Sequence, residues 1–281
     1  MESRCKILAC QVEIPAMAAA GDRDNHLHNL KGKISGQLAA ADADLVVLPE
    51  LSSIDYSRSS FDNLDELAEP LDGPSYEVMS AIAKDHSLTI VYGIARKHEG
   101  RFYISQVVVG PTGDRIGYFD KLHIAHYGAS PEKDYFSRGQ NLFTFSCKGL
   151  IFAPIICYDI RIPELTRSLV LDHGTQVLLH CGAYARDESF YSWHPFVITR
   201  AMENQIFVLS LNRAGANFGH SLFCTPWVDE RTPETCFPQR KEAFLRFELD
   251  GQDIQETKRR YSFLADKMPN YKSLTLVKVK S

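Results

Sequence analysis

A thiol, a carboxyl group and an ammonium group each stand at the end of a short apolar run of this sequence, at Cys157, Glu50 and Lys121. An activated thiol is a nucleophile for covalent catalysis. Carboxylates and cations beside such a nucleophile are the groups that move protons and stabilise developing charge. These residue types predict hydrolysis through a cysteine, provided that the fold brings the three side chains together.

Each of these residues alone has a simpler interpretation. A cysteine after a strand is most often a buried core thiol, a glutamate there is usually a cap or a solvated charge, and a lysine in a turn is usually a surface cation. Their shared position favours a joint role, because α/β folds place their sites at the carboxyl ends of strands. Ionisable groups beside buried strands are also costly unless they pair with one another.

The residues that flank the three positions are more specific. The segments are 48–51 (Leu-Pro-Glu-Leu), 120–123 (Asp-Lys-Leu-His) and 156–164 (Ile-Cys-Tyr-Asp-Ile-Arg-Ile-Pro-Glu). In order and spacing they resemble the three signature blocks of the nitrilase superfamily of carbon–nitrogen hydrolases, and the third block is the most specific. Segments 200–204 and 212–213 are also similar to later segments of that family, so the resemblance covers most of the chain.

This resemblance implies a fold and a set of residue roles. The implied fold is a four-layer α-β-β-α sandwich of the α/β class. Cys157 is expected to be the nucleophile, Glu50 the general base, and Lys121 the cation that stabilises the oxyanion. The backbone N–H of Tyr158 is expected to be a second oxyanion donor. Glu132 is expected to be a further active-site glutamate that holds the substrate nitrogen or positions the lysine.

The same comparison implies how the thiol is activated. A free cysteine has a pKa of about 8.5, so only a small fraction is thiolate at neutral pH. We expect the positive end of a helix that begins near Pro163 to favour the thiolate of Cys157. The implied chemistry requires no metal ion and no organic cofactor.

The substrate class follows from the residues after the cysteine. Tyr158 and Asp159 are similar to the amidase and N-carbamoyl amidohydrolase branches, whereas true nitrilases usually carry Trp and Glu there. We predict cleavage of a non-peptide C–N bond in a small amide or N-carbamoyl compound, through a thioester that releases ammonia or an amine. Two alternatives are nitrile hydrolysis by the same residues and a nitrilase-fold binding protein without activity.

The substrate pocket is less well defined by the sequence. Segments 182–187 and 219–227 depart from the usual pattern of the family, so no single relative identifies the substrate. Tyr56, Tyr127 and Tyr184 fall in loops after the signature strands, and we predict that they line the pocket. A glutamine-amidase module that feeds a synthetase is a weaker alternative, because the chain carries no phosphate-cradling glycine loop.

The histidines suggest two alternative kinds of hydrolytic site. A cysteine–histidine pair would use His180 or His194 to activate a thiol. His180 falls inside a strand-like run and is more simply a hydrogen-bonded strand residue. A zinc hydrolase is the weaker alternative, because the pairs His123 with His126 and His26 with His28 lack a third ligand at a recognisable spacing.

Strand and helix patterns alternate along the chain, which indicates an α/β architecture. We predict one domain, 1–281, in which 252–281 is a C-terminal extension available for dimerisation. The predicted strands are 6–12, 44–50, 88–95, 102–109, 150–157, 176–181, 206–211 and 243–249. The predicted helices are 25–40, 74–86, 163–172 and 190–204, and the polar tail is predicted to be partly helical.

Composition, net charge and cysteine content limit which partners and which cellular compartment we predict. The 281 residues are 44% hydrophobic and carry a net charge of −4, which disfavours a nucleic-acid or anionic-membrane partner. Seven cysteines without a C-x-x-C pair are typical of free thiols in a reducing, cytoplasmic compartment. No run reaches the ~18 apolar residues of a membrane span. We predict a small-molecule substrate and, by analogy with the superfamily, a homodimer or higher homo-oligomer.

Overall fold

The computed structural model describes residues 3–126 and 130–277. The strands are β1 (Arg4–Gln11), β2 (Leu45–Val47), β3 (Thr89–His98), β4 (Arg101–Val109), β5 (Arg115–Asp120), β6 (Phe145–Cys147), β7 (Leu150–Ile156), β8 (Val177–Gly182), β9 (Phe207–Asn212), β10 (Leu222–Cys224), β11 (Thr235–Cys236) and β12 (Ala243–Asp250). The helices are α1 (Ala20–Ala40), α2 (Arg58–Phe61), α3 (Leu64–Leu67), α4 (Pro74–His86), α5 (Pro163–Leu171), α6 (Phe190–Asn204) and α7 (Gly251–Arg260). Short 3₁₀ turns cover Glu132–Asp134, Cys157–Arg161, Ser262–Leu264 and Tyr271–Ser273.

The strands form two six-stranded sheets. The first has the order β12-β1-β2-β3-β4-β5, and the second has the order β11-β10-β9-β8-β7-β6. Strands β1, β2 and β3 are parallel to one another, as are β7, β8 and β9, while the outer strands pair antiparallel. Each sheet therefore has a parallel centre, and the carboxyl ends of these central strands lead into the turns that carry Glu50 and Cys157.

The two sheets face each other, and helices cover their outer faces. Side chains alternate along β1, so that Ile7 and Ala9 join the core between the sheets while Leu8 and Cys10 pack toward the helices. Helices α1 and α4 contact each other, and α4 contacts the first sheet; α5 and α6 contact each other, and α6 contacts the second. The predicted four-layer α-β-β-α sandwich is confirmed.

Helix α1 shows how the sequence pattern produces a layer. Its residues Leu27, Leu30, Ile34 and Leu38 recur at helical spacing and are all buried. Burying one such side chain stabilises the fold by about 1.5–3 kcal/mol. The helix begins at Ala20, earlier than predicted, because Asp22 accepts hydrogen bonds from backbone N–H groups that precede it.

Two further comparisons with the predicted boundaries concern β2 and α6. Strand β2 ends at Val47 rather than near Glu50, since the chain leaves the sheet and turns there. Helix α6 has the predicted bounds and continues through Pro195. The proline lies near the start of the helix on its exposed side, where water can satisfy the carbonyl that loses its partner.

The C-terminal segment includes α7, in agreement with the partly helical tail that the sequence predicts. Beyond it, residues 261–277 are largely exposed. A single domain, and dimerisation through 252–281, stay predictions. Six of the seven cysteines are buried and Cys236 is exposed. Over residues 3–126 and 130–277, no helix combines the length and the apolar character that crossing a membrane requires.

Candidate active site

A buried lysine lies between two buried glutamates. Lys121 Nζ donates to Glu50 Oε1 at 2.8 Å and to Glu132 Oε1 at 2.7 Å. All three side chains are fully shielded from solvent. A buried ammonium ion and two buried carboxyl groups are each costly alone, so their close contact is what makes the arrangement stable. The structure thus brings together three of the four side chains that the sequence analysis assigned to the site.

The turn that carries Glu50 rests on β3 at Gly93. The Gly93 N–H donates to Ser52 Oγ at 2.9 Å, and Ser53 N–H donates to the Gly93 carbonyl at 3.1 Å. A Cβ atom on Gly93 would lie 2.6 Å from the Pro49 carbonyl oxygen and would collide with the Leu51 nitrogen. This position therefore requires glycine, because the backbone on either side of Glu50 lies where a side chain would be.

We expect Gly93→Ala to lower kcat/KM at least ~10²-fold, because the new methyl group must push the turn that carries Glu50 out of place. Steady-state kinetics of the variant measure the effect. The control is Gly36→Ala in α1, where a Cβ meets nothing within 4 Å. That change should leave activity unaltered and raise helix stability by about 1 kcal/mol. Wild-type kinetics in Gly93→Ala would contradict the assigned position of Glu50.

The backbone on both sides of Lys121 is fixed by neighbouring strands and loops. Its N–H donates to the Ile104 carbonyl, and its carbonyl accepts from Gly139 N–H, both at 2.8 Å. The preceding Asp120 accepts two hydrogen bonds from Arg96, at 2.9 and 2.6 Å. This bidentate pair, nearly buried, holds the end of β5 and so fixes the direction of the lysine side chain.

Glu132 is surrounded by donors. Its Oε1 accepts from Lys121 and, at 2.6 Å, from the Tyr56 hydroxyl, and its Oε2 accepts from Ala125 N–H at 3.0 Å. The Tyr56 hydroxyl also lies 2.9 Å from Ser130 Oγ. These contacts fit the positioning role among the two that the sequence analysis gave Glu132.

Cys157 has an unusual backbone conformation directly after β7. Its φ angle is 45°, in the left-handed region that non-glycine residues seldom adopt. The Cys157 carbonyl accepts hydrogen bonds from His180 Nε2 at 2.9 Å and from the Tyr184 hydroxyl at 2.8 Å. Two buried donors thus hold the strained residue in place, as is common for groups at functional sites.

His180 supports the cysteine through the backbone. A carbonyl oxygen only accepts, so the His180 Nε2 atom carries the proton, and its Nδ1 accepts from the Ser210 hydroxyl at 2.7 Å. Burial lowers the pKa of His180 to about 3, which keeps the ring neutral. His194 Nε2 contacts the carbonyl of His220 instead. These hydrogen bonds of the two histidines go to backbone carbonyls and a hydroxyl, whereas the cysteine–histidine alternative would need one to a thiol.

The charged groups in this cluster shift one another's pKa values. Burial, offset by Lys121 and reinforced by Glu132, raises the pKa of Glu50 to about 7. Burial alone would lower the pKa of Lys121, but the negative charges of Glu132, Glu50 and Cys157 raise it well above its ordinary value. The lysine is therefore a permanent cation, and Glu50 titrates near neutral pH.

The Cys157 thiol lies in a buried setting beside negative charge. Burial raises the pKa of the thiol well above its ordinary value, and the charge of Glu50 raises it further. The helix that was expected to lower it, α5, begins at Pro163, beyond the 3₁₀ turn 157–161. The influence of the positive end of α5 on the thiolate stays a prediction. At rest, burial and the charge of Glu50 favour the thiol over the thiolate.

A pocket of about 470 Å³ opens onto the thiol. Its lining residues are Ala16, Asp55, Tyr56, Ser57, Arg58, Ala125, Ser130, Pro131, Cys157, Tyr158, Ala183, Tyr184, Ala185, Asp187, Ser189, Asn217 and Phe218. Tyr56 and Tyr184 thus lie in the wall, while Tyr127 lies outside the described residues. Tyr158, whose N–H is the expected second oxyanion donor, also lines the pocket. The volume suits a small organic molecule.

Several residues of the pocket were not singled out from the sequence. Asp55 accepts from the buried Arg213 guanidinium at 2.6 Å, and that guanidinium stacks over the Phe218 ring at 4.7 Å from its centroid. The only sequence signal was the family-like pair 212–213. The loops that meet at the pocket are far apart in the chain, so local patterns could not assign Asp55 or Phe218 to it.

The two histidine pairs considered for zinc have other partners. His26 Nε2 hydrogen-bonds the Ser52 carbonyl at 2.9 Å, in a buried position. His123 Nδ1 lies 2.6 Å from Asp159 Oδ1, which also accepts from the His123 backbone N–H. These contacts orient the segments beside the cluster of Glu50, Lys121 and Glu132, and neither pair belongs to a metal-type group of three ligands within the described residues.

Comparison with known proteins identifies the family of this chain. The profile of the carbon–nitrogen hydrolase family matches residues 6–259. The chain is 29% identical to an (R)-stereoselective amidase from a Pseudomonas species over 259 residues, which are 91% of each protein. It is 31% identical to the 2-oxoglutaramate amidase of Bacillus subtilis over 222 residues, 77% of this chain and 82% of that protein. A solved carbon–nitrogen hydrolase from Helicobacter pylori has the same fold, with a TM-score of 0.81 at 21% identity over 94% of this chain and 95% of the other.

Proposed function

The chain belongs to the carbon–nitrogen hydrolase family, in the amidase-like branch of the nitrilase superfamily, and we propose that it hydrolyses small amides through a thioester on Cys157. One observation carries the proposal: a permanent cation, Lys121, lies between two buried glutamates, and all three charges act on the Cys157 thiol that opens onto the pocket. This combination of acceptor, cation and nucleophile is what acyl transfer to sulfur requires.

The first half of the reaction forms the thioester. Glu50 Oε2 has no hydrogen-bond partner among the described residues, so it is available to accept the thiol proton. The sulfur then bonds to the carbonyl carbon of the amide, and the carbonyl oxygen becomes an oxyanion. Lys121 Nζ and the Tyr158 backbone N–H stabilise that oxyanion. Glu50 returns the proton to nitrogen as the C–N bond breaks, and ammonia or an amine leaves.

The second half releases the acid. Glu50 removes a proton from a water molecule, and the resulting hydroxide attacks the thioester carbonyl. The C–S bond breaks, the sulfur recovers the proton from Glu50, and the carboxylic acid departs. Glu132 keeps its contacts with Lys121 throughout, so the cation stays in place while charge forms and disappears on the substrate.

The class of substrate rests on the relatives. Two of them are named as amidases, one for 2-oxoglutaramate and one as (R)-stereoselective. We therefore propose a primary amide of a small acid as the substrate. N-carbamoyl compounds and nitriles are the other classes that the same cluster can attack, and the test below separates them.

The test is ammonia release from a panel of primary amides, including ω-amides of short dicarboxylic acids, beside N-carbamoyl amino acids, N-carbamoyl amines and nitriles. Wild type and Cys157→Ala are measured in parallel. We expect release from the amides by wild type only. Release from nitriles or carbamoyl compounds alone would overturn the amide assignment. Silence of the folded wild type across all classes would favour the binding protein without activity.

The pH dependence follows from Glu50. A general base must be ionised, and the pKa of Glu50 is raised to about 7, so the active form is lost as pH falls through that value. We expect kcat/KM to rise about tenfold per pH unit below about pH 7 and to level off above it. Glu50→Gln should remove this dependence together with most of the activity. A profile that rises near pH 4–5, the ordinary range of about 4.3 for glutamate, would contradict this assignment.

A further inference from the structure

Two imidazoles and a thiol meet at a place that the proposed reaction does not use. His194 lies in α6, His220 precedes β10, and Cys236 lies in β11. Each offers one ligand atom, and these atoms lie within 4.8 Å of one another. Among residues 3–126 and 130–277, this is the one group of three or more such side chains that meets this criterion. The three come from separate segments, so the fold rather than a sequence motif assembles them.

A backbone carbonyl fixes the tautomer of the His194 ring. Its Nε2 lies 2.7 Å from the His220 carbonyl oxygen, which can only accept, so Nε2 carries the proton. The neutral ring then keeps its lone pair on Nδ1. Histidines that bind metals commonly donate their other N–H to a backbone carbonyl in this way, which fixes both tautomer and orientation. The His194 ring also packs against the His220 ring, with centroids 4.6 Å apart.

The group is open to solvent on the side of the thiol. The His194 and His220 side chains are only partly exposed. Cys236 is exposed, so an ion can reach it from solvent.

We propose that His194, His220 and Cys236 bind one Zn²⁺ ion, with a water molecule as the fourth ligand. Imidazole nitrogen and thiolate sulfur together select zinc over magnesium or calcium, which prefer oxygen. Zinc binds nitrogen at about 2.0–2.1 Å and thiolate sulfur at about 2.3 Å in a tetrahedron. In such a tetrahedron the ligand atoms are less than 4.8 Å apart. Rotation of the exposed Cys236 side chain can bring its sulfur to that shorter distance. The thiol proton is released to solvent on binding.

This ion would act on the wall of the substrate pocket. His220 follows Asn217 and Phe218, which line the pocket, by only a few residues. The Asn217 carbonyl already accepts from Arg186 N–H at 2.9 Å. Zinc would join the loop that carries the pocket residues Asn217 and Phe218 to α6 and to β11. The proposed site is structural and does not enter the amide reaction.

The test uses Co²⁺ as a spectroscopic probe in the full-length Cys157→Ala chain, which removes the catalytic thiol as a competing ligand. After treatment with a chelator, cobalt titration should produce a thiolate-to-cobalt charge-transfer band that saturates at one ion per chain. Added Zn²⁺ should displace the cobalt and erase the band. Zinc should also raise the unfolding temperature of the same protein.

Two variants and one control decide the outcome. Cys236→Ser should remove the charge-transfer band, and His220→Ala should weaken cobalt binding at least tenfold. His98→Ala, at an exposed histidine outside the group, should leave the titration unchanged. Circular dichroism of the metal-free variants checks that each is folded. No band at saturating cobalt, or a band that survives in Cys236→Ser, would overturn the proposal.

Discussion

Cys157→Ala is expected to be a folded protein without measurable amide hydrolysis. Without sulfur no thioester can form, and removing a catalytic nucleophile of this kind lowers kcat on the order of 10⁶-fold. Alanine adopts the positive φ of this position no worse than cysteine does, because both carry a Cβ. Steady-state ammonia release and thermal unfolding of the same preparation measure the two effects separately.

A second buried thiol provides the control. Cys181 lies in β8, is fully buried, and is not among the residues that line the pocket. Cys181→Ala should leave a small cavity and lower stability slightly, while its kcat/KM stays within a few fold of wild type. Hydrolysis that survives in Cys157→Ala, or is lost equally in Cys181→Ala, would mean that another group performs the chemistry.

Lys121→Met should lose both activity and stability. Methionine keeps much of the volume of the side chain but removes the charge, so the oxyanion loses a donor that is worth ~10²–10³ in rate. The change also leaves Glu50 and Glu132 buried without a cation. Breaking a buried ion pair in this way typically destabilises a protein by about 3–5 kcal/mol. Urea unfolding and kinetics, both at neutral pH, measure the two losses.

The pH dependence of that stability identifies its cause. Without the cation, burial and mutual repulsion raise the pKa of Glu50 further. A carboxyl group whose folded pKa is raised makes the folded state bind more protons, so stability falls as pH rises. Lys121→Met should therefore recover stability below neutral pH relative to wild type. The control Lys97→Met, which breaks a largely exposed pair with Asp65, should show little loss at any pH. A Lys121→Met protein as stable as wild type at pH 8 would contradict the buried cluster.

The periodic elements were the most predictable part of this fold. Helix α4 has the predicted bounds because Pro74 suits a first helical turn and its buried residues keep helical spacing. Strands β3, β7, β8 and β9 lie close to their predicted ranges, since buried parallel strands are continuous apolar runs. The antiparallel strand β4 also lies close to its predicted range. Strand β2 was predicted too long. The chain turns after Val47 and packs against Gly93 of β3, a residue distant in sequence that no local pattern connects to this turn.

The site was predictable only as far as its motifs extend. Glu50, Lys121 and Cys157 stand in recognisable blocks, and the contact between Lys121 and Glu50 joins two of them. The hydrogen bond of His180 to the Cys157 carbonyl joins positions that only the folded sheet makes neighbours. The raised pKa of the Cys157 thiol could not be predicted, because a helix end is visible in the sequence whereas burial beside Glu50 is not.

The measurement that tests the central claim most directly is the partitioning of the acyl group between water and hydroxylamine. Two amides are compared that share one acyl group but release ammonia and methylamine respectively. A common thioester on Cys157 predicts the same ratio of hydroxamate to acid from both amides. The leaving group departs before water and hydroxylamine compete for the thioester. A ratio that changes with the leaving group would show that no such intermediate forms, and the account given for Glu50, Lys121 and Cys157 would be contradicted.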